Sequence, residues 1–231
     1  MKKEVLALSV LALLLVGCNG STEVKETAHM HTKAEHDKHW DYGKNNGPAH
    51  WEEFSQTCAT GIHQSPVNII PGKTINMDHN YDLSMHEDVT GLAKILDNGH
   101  SIKVTPQHGG TIDLHGETFT LLQFHFHGKS EHTIDGKRYD MVVHMVHQNP
   151  ITKQFAVVAV FFEEGEANSI LDTVIDNVGK TVTLDPQNLL PKDNSHYYHY
   201  VGSLTTPPCS ENVQWYLLKA PKTASAVQIE H

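Results

Sequence analysis

Short β-type runs separated by turn residues constrain the fold of this chain more than any other feature. Each run is rich in Val, Phe, Tyr or Ile and is bounded by Gly, Pro or Asn, which is typical of strands in a sheet. One later segment has helical spacing instead, and Gly179 stands where its C-terminal cap belongs. The sequence therefore predicts a mainly β (α+β) fold, a large twisted and mostly antiparallel central sheet with a few short helices. The four clearest runs are residues 119–127, 139–147, 155–163 and 213–218, and the apolar helix face is Ile170, Leu171, Val174, Ile175 and Val178.

The beginning of the chain has the pattern of an export signal. Lys2 and Lys3 form a positively charged start, and residues 5–16 form an apolar run that is too short to span a membrane comfortably. The run ends in Leu-Val-Gly followed by Cys18, which resembles the box at which bacterial lipoproteins are cleaved before the Cys and lipidated on it. We therefore predict a signal peptide over residues 1–17 and a lipid on Cys18 that anchors the exported protein on the periplasmic side of a bacterial membrane. The alternative is an ordinary secretory signal with an incidental Cys, which would leave a soluble periplasmic protein.

Residues 18–38 differ in composition from the rest of the chain. They are polar, lack apolar periodicity and contain His29, His31 and His36. This composition predicts a disordered, His-rich tether between the lipidated Cys and a domain over residues 39–231. A solvated linker is favoured over a segment that binds metal weakly or buffers protons.

Two cysteines remain once Cys18 is assigned to the lipid. Cys58 and Cys209 would lie in an oxidising compartment, where pairing is favoured, so we predict a disulfide between them. It would close a loop of about 150 residues and contribute on the order of 5 kcal/mol on the chain-entropy argument. Two buried free thiols are the alternative, which an exported protein makes less favourable.

The charge balance excludes one class of partner. The formal net charge of the whole chain is −10, and because residues 1–17 contribute +1, the rest carries −11. Nucleic-acid binding relies on clustered Lys and Arg that neutralise phosphates, so no nucleic-acid partner is expected. The 19 histidines are more informative, because His titrates near neutral pH and is the commonest metal ligand.

A candidate metal site lies in the first two predicted strands. The two-residue period of a strand puts Gln123, His125 and His127 on one face of the first run. The second run can return antiparallel after a turn at Asp135-Gly136 and bring His144 beside this pair. Three neutral imidazoles suit Zn²⁺ and leave its fourth tetrahedral position open for water, as in catalytic zinc sites.

A closed structural zinc site is the alternative to a catalytic one. It would need a fourth Cys or His ligand, but Cys58 and Cys209 are better explained as a disulfide. His147 has odd parity relative to His144 and therefore points to the other face of a regular strand. We interpret His147 as structural.

Several separated motifs resemble the α-carbonic anhydrase family, in order, from His39 to about Pro221. The resemblance implies that fold, with a zinc site in a central cleft held by His125, His127 and His144. It also implies the reversible hydration of CO2 to bicarbonate and a proton by zinc-bound hydroxide, with Zn²⁺ as the cofactor. The motifs are HWDYG at 39–43, QSPVNI at 64–69, NGH at 98–100, QFHFH at 123–127, SEHT at 130–133 and GSLTTPPC at 202–209.

The resemblance also implies catalytic roles around the metal. Thr205 orients the nucleophile, because a hydroxyl whose proton is taken by Glu131 can only accept a hydrogen bond from the hydroxide. His100 resembles the family's proton shuttle, which carries a proton from the site to buffer. Tyr42 and Asn98 would hold the connecting waters, and Gln123 would support a ligand from beside the cluster.

CO2 is apolar, so its waiting site is expected to be a dry wall beside the metal. Strand parity places Val146 on the face of His144 and Val213 on the face of Trp215. Ordinary core packing would place the same residue types there, because a pocket lining is packed core on its other side. The resemblance extends this substrate pocket to Val157, Leu204 and Thr206.

Three positions depart from the family pattern. The family commonly has a Glu two residues before the third zinc His, where this chain has Val142, so another acceptor must orient His144 or the site is weaker. Lys103 replaces a neutral polar residue, and strand parity permits either a Lys facing the cleft or a solvated one. Family members continue past His231 through an Asn-Arg-Pro segment and a terminal strand, so we expect the C-terminal strand region to be missing from residues 39–231.

Two other functions compete with catalysis. A zinc-binding periplasmic lipoprotein with little or no catalysis would explain the His-rich tether and Val142. A carbonic-anhydrase-like adhesion module with a dead site is disfavoured, because all three ligands are present. The presence of His100, Glu131 and Thr205 together favours the enzyme, since metal storage would not require them.

Overall fold

A computed structural model of the protein describes residues 39–77, 81–86 and 89–231. The predicted signal peptide, the predicted lipidation site Cys18 and the predicted tether to residue 38 lie outside these residues. None of the helices in the described part of the chain is long and apolar enough to cross a membrane.

A ten-stranded, mixed sheet forms the centre of the protein, which confirms the predicted mainly β fold. Its strand order is β10-β11-β8-β7-β5-β3-β2-β9, with β12 beside β8 and β4 beside β5, and a separate small sheet pairs β1 with β6. Most neighbours are antiparallel, while β11 and β12 pair parallel with β8. The strands are β1 Asn68–Ile69, β2 Gly91–Asp97, β3 Ile102–Pro106, β4 Thr111–Leu114, β5 Glu117–Gly128, β6 Thr133–Ile134, β7 Met141–Gln148, β8 Phe155–Glu164, β9 Thr181–Leu184, β10 Tyr197–Ser203, β11 Glu211–Leu218 and β12 Lys222–Ala224.

The helices are short, as predicted, and lie outside the sheet. They are α1 Thr57–Thr60, α2 Ser169–Ile175 and α3 Ala226–Glu230, with 3₁₀ turns at Pro48–Glu53, Pro71–Lys73 and Pro186–Leu189.

Helix α2 is the predicted helix, but it ends earlier than the apolar pattern indicated. Asn168 caps its start by accepting a hydrogen bond from the Ile170 amide. Val178 was expected on the buried helix face, yet it follows the helix end and its side chain is 36% exposed. The chain has to turn there, because Gly179 adopts a φ of +85° and donates its amide hydrogen bond to Ile95 on β2. This turn leads directly into β9, the neighbour of β2.

The two faces of the central sheet bury different sets of side chains. Strand β7 lies in the middle of the sheet, and all of its residues except the last are buried. Alternation along β7 divides its side chains between an apolar core on one face and the wall of a cleft on the other. The core side includes Ile95, Val104, Phe124, Met145 and Phe162, and the cleft side includes Val142, Val146, Val157, Val213 and Trp215.

Candidate metal centre

The three predicted metal ligands come from two adjacent antiparallel strands. His125 on β5 lies directly opposite His144 on β7, and His127 follows two residues later on the same face of β5. One ring nitrogen from each of the three histidines lies within 4.8 Å of the others. Because both strands are central in the sheet, the cluster is held by hydrogen-bonded backbone on either side.

The connection between β5 and β7 is longer than a single tight turn. The predicted turn at Asp135-Gly136 is present, with φ values of 50° and 77°, but it joins Ile134 to Lys137. The chain pairs β6 with β1 before it returns to β7. The segment between β5 and β7 also places Glu131 beside His127 and His144.

Hydrogen bonds and distances identify which nitrogen of each His faces the centre. Nδ1 of His125 donates to Oε1 of Gln123 at 2.9 Å, which leaves Nε2 free as a ligand atom. Nε2 of His127 and Nδ1 of His144 lie 3.6 and 3.7 Å from the same carboxylate oxygen of Glu131. These distances are too long for hydrogen bonds, so the two nitrogens converge on a shared space without filling it.

The histidines are held in the neutral form that binds metals. Burial lowers the pKa of His125 to about 3, assisted by the charges of His127 and Lys103, and burial lowers the pKa of His127 to about 4. Burial and the neighbouring histidines hold the pKa of His144 well below its usual range. Nε2 of His127 is buried with no hydrogen-bond partner among the described residues, which is costly unless a ligand occupies the centre. The donor set therefore fits Zn²⁺ with three imidazoles and an open position.

Glu131 and Thr205 lie together beside the ligands. Burial raises the pKa of Glu131 to about 7, against the hydrogen bond with the Thr205 side chain and the charge of Arg138. A divalent cation at the neighbouring histidines would favour the ionised carboxylate by Coulomb attraction. The two residues predicted to orient the nucleophile are thus neighbours in the structure, and the Thr205 side chain favours the ionised form of Glu131.

The apolar wall follows the register of three neighbouring strands. Val146 on β7 lies opposite Val157 on β8, and Val157 lies beside Trp215 on β11. All three are at least nine-tenths buried, and Leu204 packs against the same cluster. Indole Nε1 of Trp215 donates to the carbonyl of Ser203 at 2.9 Å, so the only polar atom of this ring is satisfied. Of the other predicted pocket residues, Val213 belongs to the same cluster and Thr206 is partly buried beside Thr205.

His100 lies at the edge of the same cleft, which is also lined by Tyr42, His127, Glu131 and Thr205. Asn98 shapes the turn that presents His100, because its Oδ1 accepts hydrogen bonds from the amides of His100 and Ser101, both at 2.9 Å. Burial and the charge of Glu131 raise the pKa of Tyr42 to about 12. Tyr42 is therefore a neutral hydroxyl at the mouth of the cleft.

No side chain among the described residues replaces the Glu acceptor that the family commonly has at the position of Val142. With Nδ1 directed at the centre, Nε2 faces away, where it is buried and has no hydrogen-bond partner among the described residues. Val142 is fully buried and lies two residues before His144 on the same face. Gln123 holds the corresponding position two residues before His125. The two ligands are therefore supported differently: the His125 ring by a hydrogen bond, and the His144 ring by packing against Trp215, 5.0 Å away between ring centroids.

A polar network behind Glu131 was missed from the sequence. Oη of Tyr200 lies 2.6 Å from Nε2 of His132 and 2.6 Å from Oγ of Ser65. Oγ of Ser203 in turn accepts from the Ser65 amide at 2.8 Å. His132 is fully buried beside Glu131 in the chain, so this network fixes the segment that carries Glu131. The motifs at residues 64–69 and 130–133 contained the signal.

Lys103 faces the cleft side of the sheet, which resolves the alternative left open by parity. It lies opposite His125 in the pairing of β3 with β5, and its charge contributes to the lowered pKa of that ligand.

The predicted disulfide between Cys58 and Cys209 is present. Two hydrogen bonds accompany it: Ser55 Oγ donates to the carbonyl of Pro208 at 2.8 Å, and Gln64 Nε2 donates to that of Cys209 at 3.2 Å. Together they fasten the loop that begins at Thr205. A disulfide is consistent with export to an oxidising compartment.

The chain is similar to carbonic anhydrases over most of its length. The model of the eukaryotic-type carbonic anhydrase family matches residues 46–231. A carbonic anhydrase of Pectobacterium carotovorum is 42% identical over 202 residues, which cover 83% of this chain and 80% of that protein. One of Neisseria gonorrhoeae is 37% identical over 233 residues, which cover 95% of this chain and 86% of that protein. Among solved structures, the α-carbonic anhydrase of Thermovibrio ammonificans with the inhibitor sulfanilamide matches with a TM-score of 0.76 at 36% identity, covering 83% of this chain and 88% of that chain.

Proposed function

Because the chain belongs to the α-carbonic anhydrase family and catalyses the reversible hydration of CO2 to bicarbonate and a proton with zinc as its cofactor, we propose specific roles for its residues. The convergence of His125 Nε2, His127 Nε2 and His144 Nδ1 beside the Glu131–Thr205 pair is the observation that carries them. These three nitrogens would hold Zn²⁺. When bound, Zn²⁺ lowers the pKa of a coordinated water to about 7, a value established for carbonic anhydrase itself, and so supplies a nucleophile at neutral pH.

Thr205 orients the nucleophile. With its one proton directed at Glu131, its hydroxyl oxygen can only accept a hydrogen bond. A hydroxide supplied at the metal would therefore direct its proton at Thr205 and would present a lone pair to the substrate carbon. Glu131 acts through Thr205, and the network of His132, Tyr200 and Ser65 holds it in place.

The apolar wall receives CO2. Val146, Val157 and Trp215 present no unsatisfied polar atom to the cleft, so they neither bind nor orient competing water. Leu204 and Val213 complete the wall. Thr206, which is partly buried and follows Thr205 in the chain, would border it. Bicarbonate is polar and gains more from water than from this surface, which favours its release.

His100 removes the proton that each hydration leaves behind. It stands at the edge of the cleft on a turn held by Asn98, and Tyr42 lines the path between it and the ligands. Imidazole accepts and releases protons near neutral pH without a large uphill step.

The protein acts on the periplasmic side of a bacterial membrane, anchored by a lipid on Cys18. The export signal over residues 1–17, the lipoprotein box that ends at Cys18 and the tether to residue 38 support this location, with the catalytic domain over residues 39–231. Labelling with radioactive palmitate tests it. The full-length protein is expected to incorporate label and to sediment with membranes, and Cys18→Ser to do neither; an unlabelled wild type would contradict the anchor.

Stopped-flow CO2 hydration with the zinc-loaded protein tests the site as a whole. His144→Ala is expected to lose both bound zinc and catalysis, because two imidazoles on one strand leave the metal site incomplete. The matched change His147→Ala on the same strand removes a buried His from outside the cluster and should leave zinc bound. Zinc retained by the wild type without any rate above buffer would instead favour the zinc-binding protein without catalysis, which the comparisons do not favour.

A further inference from the structure

A group of tyrosines and histidines that the catalytic site does not use comes together at the β10 end of the central sheet. His199 on β10 lies directly opposite Tyr216 on β11, and the two rings stack with centroids 4.7 Å apart and planes 28° apart. Tyr216 belongs to the core, whereas its neighbour Trp215 belongs to the cleft, so this group lies on the other face of the sheet from the catalytic cluster. The turn between β4 and β5 brings the ring of His115 beside that of His199, with centroids 5.8 Å apart.

Each of these two histidines has one ring nitrogen held by an oxygen atom. Nε2 of His199 donates to Oε1 of Gln214 at 2.8 Å, which leaves the lone pair of Nδ1 for a ligand bond. Nδ1 of His115 lies 2.9 Å from Oη of Tyr81, and when it donates there, the lone pair of Nε2 is available. His125 has the same arrangement in the catalytic cluster, and metal-binding histidines in general are oriented by such a bond. Both rings are therefore oriented in the way that metal ligands require.

The two rings are close enough to bind one ion together. Their centroids are 5.8 Å apart, and the centroids of the catalytic ligands are 4.8–5.4 Å apart in pairs. An imidazole centroid lies about 3 Å from a metal ion that it binds, because the metal–nitrogen bond itself is about 2.0–2.1 Å. Two such distances add up to about 6 Å, so the spacing of His115 and His199 allows a shared ion with a wide angle between the two bonds. His115 is exposed at a turn, which lets its ring adjust to the ion.

A buried hydroxyl beside the pair also lacks a partner. The side chain of Tyr216 is 1% exposed, and its Oη has no hydrogen-bond partner among the described residues, which is costly for a buried polar atom. Burial raises the pKa of Tyr216, and the nearby Tyr197 and Tyr81 raise it further, so the hydroxyl lies on the side of Tyr81, the partner of His115. A water molecule coordinated to an ion at the pair would supply the missing hydrogen bond.

We propose that His115 and His199 form a second metal site, independent of the catalytic centre, for a divalent ion of the late first-row transition metals. Nε2 of His115 and Nδ1 of His199 are the ligands, water completes the coordination, and Tyr81 and Gln214 orient the two rings. Imidazole suits copper, nickel and zinc, and Cu²⁺ binds such nitrogen sites most tightly in this series. A bound ion would connect β10 with the turn between β4 and β5. The alternative is an aromatic cluster that packs the end of the sheet and binds no ion.

Equilibrium dialysis of the full-length, zinc-loaded protein against Cu²⁺ tests the site. Zinc is measured in the same samples, so copper that exchanges into the catalytic cluster is counted separately. Copper bound by other histidines is common to all variants and cancels in the differences. His115→Gln and His199→Gln are each expected to lower tightly bound copper by one ion per chain, and the double variant by the same single ion, because the two residues share it. His196→Gln, which changes an exposed His just before β10, should keep the wild-type amount.

Variants of the two orienting residues keep both ligands and so test the geometry. Tyr81→Phe removes the oxygen beside Nδ1 of His115, and Gln214→Leu removes the acceptor of His199. Each change should weaken copper binding by about 10–100-fold. Tyr198→Phe, the same loss of a hydroxyl on the opposite face of β10, is the control.

Two results would overturn the shared site. Loss of two copper ions from the double variant would show two separate surface histidines, and wild-type copper binding in His199→Gln would show an aromatic cluster that only packs the sheet. Either result would leave the proposed function untouched, because CO2 hydration uses the other face of the sheet.

Discussion

At the scale of single residues, the centre depends on which atoms of each ligand are used. Strand parity predicts that His125 and His127 share a face, but it does not distinguish Nδ1 from Nε2. That choice follows from neighbours: Gln123 occupies Nδ1 of His125, and Glu131 marks the side to which His127 and His144 turn. A hydrogen bond from Nδ1 to Gln123 orients the ring of His125, whereas packing against Trp215 holds the ring of His144.

The brace on His125 leads to a prediction about zinc retention. Gln123→Leu removes the acceptor at Nδ1 and lets the ring rotate and change tautomer, so zinc affinity should fall by about 10–100-fold. Chelator-competition rates measure this loss. Gln154→Leu, the same change at a residue whose side chain donates to Asn212 at the start of β11, is the control. Equal zinc release from both variants would show that the hydrogen bond to His125 has no bearing on the metal.

Thr205 can be tested independently of the metal. Thr205→Val keeps the shape of the side chain but removes the hydroxyl that Glu131 accepts from, so zinc should stay bound while kcat/KM falls on the order of 10²-fold. Steady-state hydration and zinc content measure the two quantities. Thr183→Val, on an exposed face of β9, should change neither. A kcat/KM within twofold of wild type in Thr205→Val would refute the aiming role.

At the scale of elements, the sequence predicted features that depend on neighbouring residues and missed contacts between residues far apart in the chain. Alternation in β5 and β7 was enough to predict the ligand face, because a strand has a fixed period of two. The prediction that helix α2 extends to Val178 was wrong, because the pairing of β9 with β2 decides where the chain turns. The Ser65–Tyr200 contact joins residues 135 positions apart, and no local pattern reports such a distance.

The loop that follows Thr205 is held in place by contacts with residues that are far away in the sequence. Cys58→Ser/Cys209→Ser removes the cross-link, which should cost about 2–5 kcal/mol in the free energy of unfolding. The loop should also loosen at Thr205, so kcat/KM should fall in folded protein as well. Denaturant unfolding and hydration rates are the measurements, with Ser55→Ala, which removes only the bond to Pro208, as the milder comparison. Unchanged stability in the double variant would contradict a structural disulfide.

At the scale of the whole molecule, the sheet buries several neutral histidines. His132, His144 and His147 are each at most 1% exposed, and burial is the main cause of the lowered pKa of all three. A buried neutral His makes the free energy of unfolding depend on pH, because the unfolded chain binds a proton that the folded chain does not. The catalytic centre and the stability of the domain therefore respond to acid together.

His147 allows this link to be measured outside the ligand cluster. Its pKa is lowered to about 4 by burial, against about 6.5 in an unfolded chain. Because the folded pKa is the lower one, the stability contributed by His147 is complete above about pH 6.5 and is lost as pH falls towards 4, up to about 3 kcal/mol in all. His147→Gln cannot titrate, so its unfolding free energy, measured with denaturant from pH 7.5 to 4.5, should fall less steeply than that of the wild type by up to about 1.4 kcal/mol per pH unit. The slope is the readout, so a constant cost of burying Gln does not interfere. His108→Gln, at an exposed position, should keep the wild-type slope, and parallel curves for His147→Gln and wild type would show that acid acts elsewhere.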